Sequence, residues 1–245
     1  MSTAHEGWVA ITGASSGIGR AAALYFAARG YSVVLIARRL ERLEEVAEAV
    51  NPEVRSLVVQ ADLSTDEGID HVIASLRGLK LALLIHNAAM IQPISELMEV
   101  SRSAWRRHLT LNLEAPLFIT QALTHELKGG RVIHISGGAA HKSIAGWGAY
   151  CVSKAALYRL WESFKGELAS RDVTLASVRP GVVDTEMQAE IRSSDDPAFV
   201  QRPYFEALKV EGQLKSAEEV AAYLYYLFSE VPSEELSARE WDIRG

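Results

Sequence analysis

The chain is expected to fold as a single-domain α/β structure, a doubly wound parallel sheet with helices on both faces. Three observations predict it. Short apolar or β-branched runs alternate with longer helical patterns along the whole length, and strands separated in this way need right-handed crossovers that cover both sheet faces. The first apolar run leads into a glycine-rich turn, Thr12-Gly13-Ala14-Ser15-Ser16-Gly17-Ile18-Gly19. Finally, 245 residues of which 49% are hydrophobic can bury one large core without staples.

The elements follow in order. Trp8-Val9-Ala10-Ile11 is an apolar run that predicts a strand over 9–12, and the helix formers from Arg20 to Phe26 predict a helix over 17–29. Ser32-Val33-Val34-Leu35-Ile36-Ala37 reads as a fully buried strand, followed by a helical pattern over 40–50. A third strand is expected at 55–60 with a helix at 65–76, and a fourth strand at 81–86 with a long helix at 102–127. Arg131-Val132-Ile133-His134-Ile135-Ser136 gives the fifth strand, 147–170 the next helix, and 174–178 the sixth strand. A helix at 217–228 and a weak strand at 240–243 close the chain. Between 184 and 212 the alternation breaks around Ser193-Ser194-Asp195-Asp196-Pro197. That segment reads either as a surface insertion or as a substrate lid, since it follows the carboxyl end of a strand.

Composition narrows the function. A net charge of −6, from 25 basic and 31 acidic residues, argues against nucleic acid as a partner. Cys151 is the only cysteine, which excludes an internal disulfide and fits a reducing, cytoplasmic setting. Residues 1–7 lack the basic and apolar regions of a signal peptide, and no apolar run is long enough to span a membrane. No His, Cys and Asp cluster has metal-ligand spacing, so no metal is expected.

Two patterns carry chemistry. In a strand–turn–helix context, glycines 13, 17 and 19 let the backbone approach a ligand, and the helix start offers unpaired N–H groups to a phosphate. Tyr150 and Lys154 stand four residues apart on one helical face. An ammonium beside a phenol lowers the phenol's pKa and makes Tyr150 a candidate general acid for a forming alkoxide, although ordinary helix surface also shows such pairs.

Over essentially its full length the sequence resembles the short-chain dehydrogenase/reductase family. The resemblance rests on Thr12 to Gly19, on Asp62-Leu63-Ser64, and on His86-Asn87-Ala88-Ala89, a variant of the family's Asn-Asn-Ala-Gly. It continues through Asn112 in Leu111-Asn112-Leu113, through Tyr150-x-x-x-Lys154, and through Pro180-Gly181-Val182-Val183-Asp184-Thr185. Gly146-Trp147-Gly148-Ala149-Tyr150-Cys151 and the stretch 180–188 are similar to the sepiapterin reductase and benzil reductase branch, which reduces vicinal dicarbonyls or α-hydroxyketones with NADPH.

The resemblance implies a Rossmann fold and a set of roles. Tyr150 donates the proton, Lys154 holds the nicotinamide ribose and depresses the tyrosine's pKa, and Asn112 supports a water chain. Asp62 and the Leu63 backbone meet the adenine, and Asn87 with Ala88 lies by the adenosine ribose and joins neighbouring strands. Gly13, Ser15, Ser16, Gly17, Ile18 and Gly19 line the cofactor, as do Pro180, Gly181, Val183 and Thr185. NAD-preferring enzymes place a carboxylate after the second strand, whereas this chain reads Ala37-Arg38-Arg39 with no acid until Glu41. Guanidinium groups there pair with a 2′-phosphate, so NADP(H) is the expected cofactor.

One departure bears on catalysis. The family's catalytic serine lies thirteen residues before the tyrosine, and here that position is Gly137. Either Ser136, one residue earlier, fills in if the glycines shift the backbone, or the substrate is activated enough not to need the hydroxyl; Ser143 is the other nearby hydroxyl. His134 is expected to be packed in a strand, His141 to sit near the mouth, and Cys151 to pack off the catalytic face. The pocket is assigned to 138–147, 182–185 and the lid at 184–212, with Ile144, Trp147 and Tyr204 favouring an apolar or aromatic substrate. Asp242 stands where the sepiapterin reductase branch anchors a pterin. The leading expectation is an NADPH-dependent carbonyl reductase acting on a small molecule as a homodimer or homotetramer. The alternative is an NADP(H)-binding sensor on a catalytically weakened scaffold.

Overall fold

A computed structural model describes residues 6–245; the leader expectation rests on residues 1–7, most of which lie outside the described residues. Seven parallel strands form one sheet in the order β3-β2-β1-β4-β5-β6-β7. They are β1 (Trp8–Thr12), β2 (Ser32–Ala37), β3 (Ser56–Gln60), β4 (Leu81–His86), β5 (Arg131–Ile135), β6 (Thr174–Arg179) and β7 (Trp241–Asp242). The weak strand signal near 240 is therefore a short edge strand on β6, pairing Val178 with Trp241 and Arg179 with Asp242.

The central strands are apolar throughout because both faces are covered. Alternate residues of β2 serve separate cores: Val33 and Leu35 pack on one side, Val34 and Ile36 on the other. The first core takes helices α1 (Gly17–Ala27), α2 (Leu40–Ala49), α9 (Ala217–Ser229) and α10 (Ser233–Ala238), through residues such as Phe26, Leu43, Leu224 and Leu236. The second takes α3 (Asp66–Leu76), α5 (Ala115–Ala122) and α6 (Gly148–Ala169), through Val72, Ile119 and Trp161. A third cluster, with Ile144, Trp147, Ile191, Phe199 and Phe205, sits beyond the carboxyl ends of the strands.

Two expectations change. The single helix expected over 102–127 is α4 (Arg102–Leu109), a π turn (Thr110–Glu114) and α5, followed by turns. The cause is in the sequence: Pro116 has no N–H for the Asn112 carbonyl four residues earlier. The ladder widens by one residue, so that the Ala115 N–H reaches the Thr110 carbonyl. The irregular segment 184–212 also contains two helices, α7 (Glu186–Arg192) and α8 (Arg202–Val210). The Thr185 side chain caps the first of these by accepting from the Gln188 N–H.

Candidate active site

The carboxyl ends of the strands open into a cavity of about 1200 Å³ that runs from Arg38 and Asp62 at one end to Tyr204 and Arg244 at the other. The β1–α1 turn forms one wall, with Gly13, Ser15, Ser16, Gly17 and Ile18. Gly19 does not line the cavity but makes the turn possible. A Cβ there would lie 2.3 Å from the Gly13 carbonyl oxygen, so only glycine lets the helix start pack this closely. Gly13 has φ +69°, and a Cβ on it would come within 2.8 Å of Asn87 Nδ2. That nitrogen donates to the carbonyls of Thr12 at 2.9 Å and Gly13 at 3.3 Å, while Thr12 Oγ1 accepts from the N–H groups of Asn87 and Ala88. Asn87 thus ties the end of β4 to β1.

The far end of this wall is charged. Asp62 and Leu63 line the cavity with Ala88. Burial pushes the Asp62 carboxyl up, but bonds from the Ser64 hydroxyl and N–H, with Arg38 and Arg107 nearby, hold it below the usual range. Of the two arginines after β2, Arg39 is the one turned into the glycine-rich turn: its guanidinium donates to Ser15 Oγ at 3.1 Å and Ser16 Oγ at 2.9 Å. The residues fit a phosphorylated dinucleotide, with close backbone at the turn, a carboxylate beside the outer end and a guanidinium set between two hydroxyls. Pro180, Gly181, Val183 and Thr185 form the opposite lip.

Tyr150 and Lys154 project from α6 into the middle of the cavity. Lys154 is 3% exposed, and its Nζ donates to the Ile135 carbonyl at 2.8 Å and lies 5.6 Å from the centre of the Tyr150 ring. Burial lowers its pKa to about 8. The expectation that the ammonium depresses the phenol is not met here, because burial, followed by the neighbouring Cys151, pushes the Tyr150 phenol up. A phenol that keeps its proton is suited to donating it.

Asn112 is buried behind this pair and does not line the cavity. Its amide accepts from the Met90 N–H and donates to the Met90 carbonyl, both at 3.0 Å. His108, also fully buried, links the same region: Nδ1 lies 2.6 Å from the Gln92 carbonyl and Nε2 3.0 Å from Ser153 Oγ. Since a carbonyl only accepts, Nδ1 carries the proton and Nε2 accepts, as befits an imidazole kept neutral by burial and by Lys154. Nothing in the residue spacing separated His108, Ser153 and Met90 from ordinary packing.

Gly137 stands at the mouth with φ 179°, extended backbone open to any residue. A Cβ on it would lie 3.9 Å from Tyr150 Oη, so this is the position from which a side chain would face the reacting oxygen. Ser136 does not replace it. Although that residue borders the cavity, its hydroxyl is sealed from solvent and has no hydrogen-bond partner. The expected substitute donor is corrected on that ground.

Ile144, Trp147 and Tyr204 line the other end of the cavity, beside Met187, Ile191 and Phe205. Trp147 stacks on Phe199 and Phe205, with ring centres 5.4 and 5.1 Å apart. Asp242 is a second correction. It does not line the cavity, because Arg179 (3.0 Å) and Arg244 (2.7 Å) hold its carboxylate, whose pKa falls to about 2, chiefly through Arg244. Arg179 and Arg244 face the cavity in its place. His141 does border the mouth, with Nε2 2.6 Å from Glu240. His134 is fully buried against His86, and Cys151 packs on the third cluster. Among the described residues, no group of three or more His, Cys, Asp or Glu is placed to hold a metal, and no helix is long and apolar enough to cross a membrane.

Comparison with known proteins gives consistent findings. The family model described as short chain dehydrogenase matches residues 7–196. A benzil reductase ((S)-benzoin forming) of Bacillus subtilis is 34% identical over 238 residues, covering 89% of this chain and 91% of that protein. The benzil reductase of Bacillus cereus is 32% identical, covering 87% and 90%. Among solved structures, L-sorbose reductase from Gluconobacter frateurii, complexed with NADPH and L-sorbose, superposes with a TM-score of 0.86 at 26% identity, covering 98% of this chain and 97% of that one.

Proposed function

The chain belongs to the short-chain dehydrogenase family, and from that premise we propose that it reduces vicinal diketones or α-hydroxyketones, with benzil-type compounds as the substrate class. It is an oxidoreductase acting on C=O and CH–OH groups, and its cofactor is NADP(H), which supplies the hydride when bound. Tyr150 protonates the carbonyl oxygen. Lys154 keeps a positive charge beside it, and Asn112 holds the loop at Met90 against the π turn through its paired hydrogen bonds and donates to Ser153 Oγ of α6 at 3.2 Å. The nucleotide rests on the glycine-rich turn, Arg38, Arg39, Asp62, Leu63, Asn87 and Ala88, and residues 184–212 form the lid over a single domain.

The observation that carries the reading is the bare Gly137 opposite the Tyr150 hydroxyl. The loss of one side-chain donor at a developing oxyanion costs about 10²–10³ in rate. A second, electron-withdrawing carbonyl on the substrate offsets part of that loss, and the Trp147, Phe199 and Phe205 stack suits an aryl group. With Asp242 engaged by Arg179 and Arg244, a pterin lacks its anchor. The reading includes a cytoplasmic homodimer or homotetramer, supported by the exposed apolar residues Phe118 on α5 and Val152 on α6.

The test is NADPH absorbance loss with benzil, sepiapterin, an aryl monoketone and a ketose. Benzil is expected to give the highest kcat/KM. Tight NADPH binding with no turnover of any carbonyl would instead establish the sensor reading.

A further inference from the structure

Among the described residues, Glu186 is the carboxylate that pairs with Arg39, the guanidinium bonded to the glycine-rich turn. It sits in the first turn of α7, immediately after the cap Thr185, and lines the cavity with Gly17 and Arg39. Its Oε2 lies 2.8 Å from Arg39 Nη1, and its Oε1 pairs with Arg42 on α2. The same Arg39 guanidinium donates through Nη2 to Ser15 and Ser16. An anionic oxygen therefore already engages one side of the guanidinium whose other side reaches the two hydroxyls, and it belongs to the segment 184–212.

We propose that Glu186 is a selectivity-determining residue that stands in for the cofactor's 2′-phosphate in the empty enzyme and competes with it for Arg39. The inference rests on the NADP(H) reading above. Two cations share this carboxylate, which makes a handover possible. When a 2′-phosphate arrives, Arg42 keeps Glu186 while Arg39 turns to the phosphate, a harder and more highly charged acceptor for a guanidinium fork. Breaking the Arg39–Glu186 contact is a cost that only 2′-phosphorylated ligands meet, because a ligand with a free 2′-hydroxyl leaves Arg39 where it is. The carboxylate and the phosphate also repel each other across the shared arginine. Both effects lower the preference for NADPH over NADH below what the arginines alone would give. They also couple the position of α7, and so of the lid, to the occupancy of the nucleotide's far end.

The experiment is calorimetric titration of the cofactor-free protein, as wild type, Glu186→Gln and Glu186→Ala, with NADPH, NADH and 2′,5′-ADP. Both substitutions are at a half-exposed side chain, and a thermal melt confirms folding. The expected result is that NADPH and 2′,5′-ADP bind about fivefold tighter to both variants, the size of a half-exposed ion pair, while NADH changes by less than about twofold. In an Arg39→Ala background the Glu186→Gln gain should shrink, since the shared guanidinium is gone and only the repulsion between carboxylate and phosphate remains. Unchanged or weaker NADPH binding in both variants, with wild type still preferring NADPH, would overturn the competition and leave the cofactor assignment standing. Equal binding of NADPH and NADH by wild type and by both variants would overturn the cofactor assignment, and the competition with it.

Discussion

In the proposed reading a carbonyl oxygen lies between Tyr150 Oη and the space above Gly137, and the two residues make separate predictions. Tyr150→Phe keeps the ring and removes the acid, so turnover should fall to background while NADPH still binds; near-normal turnover would remove Tyr150 from the mechanism. Gly137→Ser restores a hydroxyl facing Tyr150, and the extended backbone accepts it without strain. Its kcat/KM on an aryl monoketone should rise by about tenfold or more, against little change on benzil, which activates itself. Ser136→Ala should be silent, because that hydroxyl is sealed away from the cavity. The pH profile follows from Lys154. Its pKa is lowered to about 8 by burial, so the group is cationic below that pH and neutral above it. Reductive kcat/KM, which reports the free enzyme, should therefore decline above about pH 8, and Lys154→Arg should flatten that limb. The Tyr150–Lys154 pair was readable as a site candidate only from its spacing together with the family resemblance, since ordinary helix surface also shows such pairs. Which of Ser136 and Gly137 faces the site was not, because a one-residue step at a strand end reverses the side chain's direction.

At the level of elements, strands and crossover helices were readable because each is a contiguous run of one periodicity. The missed features lie where periodicity is broken by chemistry. Pro116 splits the long helix, and the resulting π turn holds Asn112 against Met90. The helices of 184–212 were hidden because α7 and α8 bury only a few residues each, among them Ile191, Phe205 and Leu208, around polar stretches. Those few residues make the packing of the segment testable. Phe205 stacks on Trp147 at 5.1 Å and borders the cavity. Phe205→Ala removes an aromatic contact for the substrate and loosens α8, without touching Tyr150 or Lys154. The expected outcome in steady-state assays is a KM for benzil raised about tenfold, a pair of aromatic contacts' worth, with kcat changed far less. A drop confined to kcat would mean that the stack does not hold substrate.

Across the whole molecule, the parallel sheet was legible because strands buried on both faces read as unbroken apolar runs, but its polar contents were not. Three histidines lie inside this sheet and its helices: His86, His108 and His134, each 4% exposed or less. Burial lowers the pKa of all three, with His134 near 3 through burial and then Lys154, and His86 well below its ordinary value through burial and then His134. In the unfolded chain each titrates near 6.5. Between those limits the unfolded state binds protons that the native state refuses, so stability falls as the pH drops below about 6.5. The slope approaches about 1.4 kcal/mol per pH unit for each histidine that stays neutral in the native state. Urea unfolding at stepped pH from 8 to 5 should show a flat midpoint above about pH 7 and a steep loss below it. His134 is the most telling of the three. Neither of its ring nitrogens has a hydrogen-bond partner, whereas His86 Nε2 lies 2.9 Å from Thr120 Oγ1 and His108 is bonded at both. His134→Leu exchanges an unpaired polar ring for a hydrocarbon of similar size, which removes a desolvation penalty rather than a bond. The variant should match or exceed wild-type stability at pH 7 and lose about a third of the acid slope. A variant less stable at pH 7 by more than about 2 kcal/mol would mean that the imidazole has a buried partner such as water.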